Sequence, residues 1–424
     1  MTYEETLAHI YALRRFGIRP GLDRVSSLLA RLGNLHASLR IIHVAGTNGK
    51  GSTAAFLSSI LAAGGYRTGL FTSPHLISFT ERFRINGAEI GRDEVLRLAQ
   101  RVMAAAPEGT TFFELVTALA LLHFAGEGVD VAILEAGMGG GHDATNVAAG
   151  ILTIITPVAL DHGEWLGETV PAIAREKGGI IKAGRPVVLA EQLPEAAEVL
   201  VQRSKALGCR LCRFDTDFTA RWHGERLAYR GLHRSLEGVR PGIGGRYQRV
   251  NAACALAAAE LLATEGFPLT DEALRRGIAD ARWPGRMELF PGPPPVLLDG
   301  AHNPAGAGAL AEALADFPRR RLILVTGIMG DKDAEGILSP LLPLADEVVT
   351  VTPAVERGLA ADRLAAFCRE RGAAAIDGGA VPQGLELARQ RAGSDDLVLV
   401  TGSLFTVGEA RAALLAAPYE PFRG

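Results

Sequence analysis

The sequence predicts an α/β fold, with a parallel sheet flanked by helices in a larger first domain and a smaller α/β domain after it. Three observations point there. Short apolar runs alternate with helical patterns through most of the chain, as strands buried between two helical layers do. The run Val44-Ala45-Gly46-Thr47-Asn48-Gly49-Lys50-Gly51-Ser52-Thr53 joins a strand to a helix through a glycine-rich phosphate loop. Proline and glycine cluster at Trp283-Pro284-Gly285-Arg286 and across 291–295, and a second alternation begins beyond them.

In chain order, Ile41, Ile42 and Val44 make the first buried strand, and Ala54, Ala55, Leu57, Ile60 and Leu61 recur at helical spacing behind the loop. Apolar runs at 68–71, 131–134, 151–155 and 187–189 extend the sheet. Residues 210–240 change character, and Trp222, Tyr229 and short turn-flanked runs predict an antiparallel hairpin insert. Alanine and leucine dominate 251–263, which reads as a helix. In the second alternation, strands at 296–298, 322–325, 348–351 and 397–400 are separated by helices at 305–315, 361–371 and 383–391. The expected domains are 1–284 and 285–424.

At 424 residues the chain exceeds what one core ordinarily serves. Its 44 basic and 47 acidic residues leave a net charge of −3 without blocks of one sign, which favours small-molecule partners over nucleic acid or a membrane surface. There is no signal-peptide pattern and no apolar stretch near the ~20 residues that span a bilayer, so a cytoplasmic protein is expected. Four scattered cysteines suit a reducing compartment; Cys209 and Cys212 have no second pair at zinc spacing and read as two thiols at a strand end.

The loop carries the first chemistry. Its glycines let backbone N–H groups approach phosphates, Lys50 supplies a cation, and Ser52 or Thr53 offers a hydroxyl near Mg²⁺. Val44 stands where the general motif has its first glycine, and Gly51 separates the lysine from the hydroxyls. Glu135 ends its strand at the sheet edge beside this loop, where open α/β sheets bind ligands. Ser73 and the pair Asp161-His162 also follow strands, and with Glu135 make a donor set for Mg²⁺. Lys177, before Gly178-Gly179, reads by itself as a surface lysine at a helix end. Glu114 either faces the positive end of its own helix or, with Phe112 and Phe113, walls a flat ring. Asp299 ends a strand and is positioned for ribose hydroxyls. Asp331-Lys332-Asp333 lacks the asparagine of a guanine-reading motif.

Together these residues resemble the folylpolyglutamate synthase and dihydrofolate synthase family, within the Mur-type ATP-dependent amide ligases. The carriers are 46–52, Ser73-Pro-His-Leu76, Glu81-Arg82 with Asn86-Gly87, Glu135 with Asp143-Ala-Thr-Asn146, and Leu160-Asp-His162. Trp165-Leu-Gly167 with Arg175-Glu-Lys177, Trp283-Pro-Gly-Arg286, Asp299-Gly-Ala-His-Asn303, Asp331-Lys-Asp333 and Thr401-Gly-Ser403 complete them. The resemblance implies the Mur ligase architecture: a P-loop ATPase-type sheet domain plus a Rossmann-like C-terminal domain.

It also implies that Thr47, Asn48, Gly49, Lys50, Gly51 and Ser52 hold ATP, joined by Asn251, Arg286 and Asp299 across the domain cleft. Ser73, Glu135 and His162 would bind Mg²⁺, and a carbamylated Lys177 would support a second ion or its waters. Thr111, Phe112, Phe113 and Glu114, with His142, Asp143 and Ala144, match pterin-binding segments; His302 and Ser403 match positions for the incoming L-glutamate. The family commonly has arginine and leucine where Gly141 and His142 stand, and threonine where Gly163 stands. The implied reaction joins L-glutamate to dihydropteroate or a folate through an acyl phosphate, in a monomer that closes its two domains. Two rivals are a ligase for a cell-wall nucleotide precursor, which would be expected to have a further N-terminal domain, and a nucleotide-dependent switch without ligase activity.

Overall fold

The computed structural model describes residues 1–13, 17, 21–161 and 166–421. The chain divides into two compact units. The first runs from Met1 to Pro74, Thr80 to Gly242 and Gln248 to Arg282; the second holds His75–Phe79, Ile243–Tyr247 and the chain from Trp283 onward.

In the first unit, strands β1 (Ile41–Ala45), β2 (Thr68–Phe71), β3 (Phe83–Ile85), β4 (Ala88–Glu89), β5 (Val131–Glu135), β6 (Gly150–Ile155), β7 (Val187–Leu189) and β8 (Leu211–Arg213) form one sheet. Its order is β4-β3-β2-β5-β1-β6-β7-β8. The strands from β2 to β8 along that row run parallel, while β3 and β4 add an antiparallel edge. Every residue of β1 and β5 is buried, as strands covered on both faces require. β1 lies between β5 and β6, so the chain leaves the phosphate-loop strand at a point where the sheet reverses its winding.

Helix Phe112–Gly126 is apolar almost all round and buried along its length, as is Gln248–Leu262, so both belong to the interior. Helix Lys50–Ala63 packs against Gln248–Leu262 and against Asp271–Asp280. The second contact is close because residue 277 is glycine: a Cβ there would stand 2.3 Å from the Ile60 Cα. The hairpin expected at 210–240 is instead a three-stranded antiparallel sheet of β9 (Thr219–His223), β10 (Arg226–Arg230) and β11 (Ser235–Val239), because Leu211–Arg213 pairs with β7 as the last strand of the first sheet. Glu260 anchors it, accepting from the Tyr229 hydroxyl at 2.7 Å and from the Leu232 and His233 N–H groups at 3.2 and 2.7 Å.

The second unit carries β12 (Glu288–Phe290), β13 (Val296–Leu298), β14 (Leu322–Thr326), β15 (Glu347–Thr352), β16 (Ala375–Ala380) and β17 (Leu397–Thr401), in the order β12-β13-β17-β14-β15-β16. All neighbours are parallel except β12 with β13. Strand alternation divides its core: Leu297, Leu324 and Leu399 face one cluster, while Val296, Ile323, Val325, Val398 and Val400 face the other. Near the end of the chain Glu420 clasps the segment 75–79. Its carboxylate accepts from the Ser78 hydroxyl at 3.0 Å and the Phe79 N–H at 2.9 Å, its own N–H donates to the Ile77 carbonyl at 2.9 Å, and its carbonyl lies 3.3 Å from His75 Nε2.

Candidate active site

The phosphate loop is shaped by its glycines. Gly46 has φ +145°, and a Cβ there would meet Thr156 Oγ1 at 1.9 Å; Gly49 has φ +85°, with Asn251 Oδ1 where its Cβ would point. The N–H groups of Thr47 and Asn48 donate to the Pro157 carbonyl at 2.9 and 3.2 Å, tying the loop to the chain after β6. Thr47 Oγ1 accepts from the Ala159 N–H at 3.1 Å. Lys50 opens the helix, its Nζ 3.2 Å from the Thr47 carbonyl, and no side chain caps that helix at Gly49. A helix start of this kind offers N–H groups and the positive dipole end to an anion.

Asn251 belongs to the same unit as the loop, rather than reaching it from across a domain cleft as the resemblance implied. The reason is a chain of side-chain bonds between helices 50–63 and 248–262: Thr53 Oγ1 to Asn251 Oδ1 at 3.3 Å, Asn251 Nδ2 to Gln248 Oε1 at 2.8 Å, and Gln248 Nε2 to Ser52 Oγ at 3.3 Å. Gln248 is a site residue that the sequence reading missed. Its spacing of three from Asn251, on one helix face, was the available signal.

Glu135 ends β5 opposite Val44 of β1, is 5% exposed, and accepts from the Ser73 N–H at 3.2 Å. A carboxylate and a hydroxyl-bearing residue thus meet beside the phosphate loop, and oxygen donors suit a hard cation such as Mg²⁺. His162 lies outside the described residues, as do Gly163 and Trp165. Among the described residues no three His, Cys, Asp or Glu side chains cluster for a metal. Arg82, which the resemblance singled out without a role, is buried with its guanidinium 5.5 Å from the Phe112 ring centroid; burial pushes it down to about 10 against the opposing pull of Tyr11, Glu81 and Glu135.

Lys177 is not a surface lysine. It is 5% exposed, and its Nζ donates to the Gly46 carbonyl at 2.8 Å. Burial, aided by the Lys50 charge, pushes it down to about 7 against the opposing pull of Asp161, Asp143 and Glu176.

At the expected acceptor segments, Glu114 serves the helix. Thr111 and Glu114 form a capping box, with Glu114 Oε2 accepting from the Thr111 N–H at 2.8 Å and its carboxylate paired to Arg24 at 3.0 Å. Phe112 stacks on Tyr11 at 5.6 Å, while half-buried Phe113 lies 6.0 Å from the Phe71 ring and covers Gly137. Asp143 is buried and holds its own loop, accepting from the Met138 N–H at 2.8 Å and the Thr145 N–H at 3.0 Å. Ala144 beside it is buried. His142 is exposed and pairs with Glu176, Nδ1 to carboxylate at 3.2 Å.

In the second unit, Asp299, Gly300 and His302 follow β13, and Ser403 follows β17, all at the carboxyl edge of the sheet. The Asp299 carboxylate accepts from the Tyr247 hydroxyl at 2.7 Å and from the Met287 and Ala301 N–H groups at 3.0 Å each, so its near partners are protein donors; burial raises its affinity for a proton. Arg286 lies against Gly300, where a Cβ would clash with its Nη1. His302 Nδ1 is 2.8 Å from the Gly300 carbonyl. Ser403 is the N-cap of helix Leu404–Leu415, accepting from the Thr406 N–H at 3.1 Å.

Comparison with known proteins follows the same two parts. The Mur ligase middle domain family matches residues 44–259, and the Mur ligase glutamate ligase domain family matches 285–404. The dihydrofolate synthase/folylpolyglutamate synthase of Bacillus subtilis is 37% identical over 97% of this chain and 99% of its own. Among solved structures, Escherichia coli FolC in complex with DHPP and ADP has a TM-score of 0.90 at 34% identity, covering 97% of this chain and 98% of that one. The Yersinia pestis bifunctional folylpolyglutamate synthase/dihydrofolate synthase complexed with AMPPNP and Mn ion has a TM-score of 0.89 at 35% identity, covering 98% of both chains.

Proposed function

The chain belongs to the dihydrofolate synthase/folylpolyglutamate synthase family of Mur-type ligases, and from that premise we propose how its residues carry out the reaction. The protein is an ATP-dependent ligase that adds L-glutamate to a folate-type acceptor. The observation that carries the residue-level reading is the meeting of Lys50, Lys177 and Glu135 around one glycine-rich loop at the carboxyl edge of the first sheet.

The loop 46–52 and Lys50 hold the ATP phosphates. The acceptor carboxylate attacks the γ-phosphorus, giving an acyl phosphate and ADP. The α-amine of L-glutamate then attacks the acyl carbon, phosphate departs with the bonding pair, and the amine proton passes to that phosphate or to water. Lys50 offsets the charge that moves with the phosphoryl group, and no protein nucleophile is needed. Glu135, Ser73 and His162 are the residues that would hold Mg²⁺, which neutralises phosphate charge when bound. Lys177, pushed down to about 7 and so partly the neutral amine, is able to add CO₂ and lose a proton to water, becoming an anionic carbamate, the form that suits a second ion. Arg286 and Asp299 serve ATP, Phe113 with His142, Asp143 and Ala144 serves the acceptor, and His302 serves L-glutamate.

We take the protein to act as a monomer in the cytoplasm, on 7,8-dihydropteroate and on tetrahydrofolate or its polyglutamates alike. The test is Mg-ATP-dependent incorporation of labelled L-glutamate into both acceptors by the purified protein. Incorporation into both is the expected result; incorporation into one alone removes the second activity.

A further inference from the structure

β1 delivers the phosphate loop, yet its central residue is a histidine with no exposed surface. His43 sits between Leu134 of β5 and Thr153 of β6 in register, both fully buried and neither charged. Its Nε2 lies 2.7 Å from Thr145 Oγ1, and Thr145 is equally buried. Thr145 Oγ1 in turn bonds Asp143 Oδ1.

The direction of this chain can be read from its far end. Burial raises the Asp143 carboxyl, but the group accepts backbone N–H groups on both oxygens, Met138 on Oδ2 and Thr145 on Oδ1, and these donors favour its ionised form. The Thr145 hydroxyl therefore donates to Asp143 and has only lone pairs left for His43. His43 must carry its proton on Nε2, which leaves Nδ1 bare; that nitrogen has no hydrogen-bond partner among the described residues. Burial accordingly holds the ring neutral, pushing it down to about 3.

We propose that His43 is a positioning residue for the folate-type acceptor: through Thr145 and Asp143 it sets the loop 137–146 from the strand that carries the phosphate loop. The proposal rests on the reading that His142 to Ala144 meet the acceptor. Residues of 176–182 also hold the same loop from outside it, and the Gly141 N–H donates to the Glu176 carbonyl at 2.9 Å. Glu176 accepts from the His142 N–H at 3.0 Å, and Lys182 donates to Asn146 Oδ1 at 2.7 Å. The Ala136 N–H, just before the loop, donates to the Val44 carbonyl of β1 at 2.9 Å; the His43 tie adds a side-chain hold from the same strand further along the loop, and so helps set its height above the strand ends.

The test uses the full-length protein with His43→Leu, His43→Gln, Thr145→Val, the double variant His43→Leu/Thr145→Val, and His142→Ala. KM for acceptor, KM for ATP and kcat are measured for each, with melting temperature as a separate readout. Expected for His43→Leu and for Thr145→Val is a rise of about tenfold in acceptor KM, the scale of one lost buried hydrogen bond, with ATP KM and kcat within about twofold. The double variant matches the single ones, since both cut one path. His43→Gln, whose amide can donate from a similar reach, returns towards the parent and decides the matter if the leucine variant does not fold.

A rise in acceptor KM for His142→Ala without one for His43→Leu or Thr145→Val overturns the relay while leaving the acceptor loop in place. Equal rises in acceptor and ATP KM, or a lowered melting temperature alone, also overturn it. No change even for His142→Ala removes the acceptor-loop reading, and the proposal with it.

Discussion

Lys177 shows how far a residue's chemistry depends on neighbours that its own segment does not name. By sequence it is a lysine before a glycine pair; in the fold it is enclosed beside Lys50 and bonded to the Gly46 carbonyl. If its amine carries CO₂, enzyme stripped of CO₂ regains activity on adding bicarbonate. Lys177→Ala loses at least about a hundredfold in kcat, and acetate, a free carboxylate, restores part of it. Failure of bicarbonate to change activity refutes the carbamate. The place of Glu135 at the sheet edge beside the phosphate loop was legible because it ends an apolar run; if it holds Mg²⁺, Glu135→Gln should cost orders of magnitude in kcat, with the midpoint for Mg²⁺ activation raised and the melting temperature near that of the parent. The tasks of Glu114, Asp143, Ser403 and Asp299 were less legible. Each spends its side chain on backbone N–H groups, and such caps and turns look the same in sequence as ligand contacts do.

The strongest elements were read correctly because apolar runs and helical periodicity are local signals: the expected runs at 41–45, 68–71 and 322–325 all lie in strands. The missed strands lack that signal. β16 includes Asp377, Gly378 and Gly379 and sits at the sheet margin, and β3 and β4 are short pieces joined by Asn86-Gly87, both at positive φ. The phosphate loop depends on a helix far along the chain. Gly49→Ala forces a side chain into a left-handed φ and against Asn251, and a rise in ATP KM of tenfold or more is expected, to be checked by nucleotide titration. A second element-level effect concerns helix Leu404–Leu415. Glu409 is buried in it, accepts from the Ala354 N–H at 2.6 Å, and burial raises its carboxyl from 4.5 to about 7. Between those values the folded chain keeps a proton that the unfolded chain has released, so stability falls as pH rises through the window. Glu409→Gln keeps the acceptor without the charge, and its melting temperature should fall less than the parent's between pH 5 and pH 8. Equal slopes would show that another group sets the pH response.

At the scale of the whole chain, composition and alternation indicated two parts, but the division in space is finer than a single cut. His75–Phe79 and Ile243–Tyr247 count with the second unit although their neighbours in sequence belong to the first. No local pattern announces this, because their partners lie 52 to 342 residues away in the chain: Tyr247 meets Asp299, Arg246 meets Asp316, and Ser78 meets Glu420. The last of these has a practical side. Ser73, the expected metal-binding serine, stands just upstream of the clasped segment in the chain, so loss of the tail is expected to be felt there through chain continuity. A chain cut back to Ala417, or one nibbled by carboxypeptidase during storage, would leave the Ser78 hydroxyl and Phe79 N–H without their acceptor. Such a preparation would look whole on a gel and still turn over slowly, and intact mass alongside specific activity would reveal it. For the same reason a purification tag is better carried on the other end.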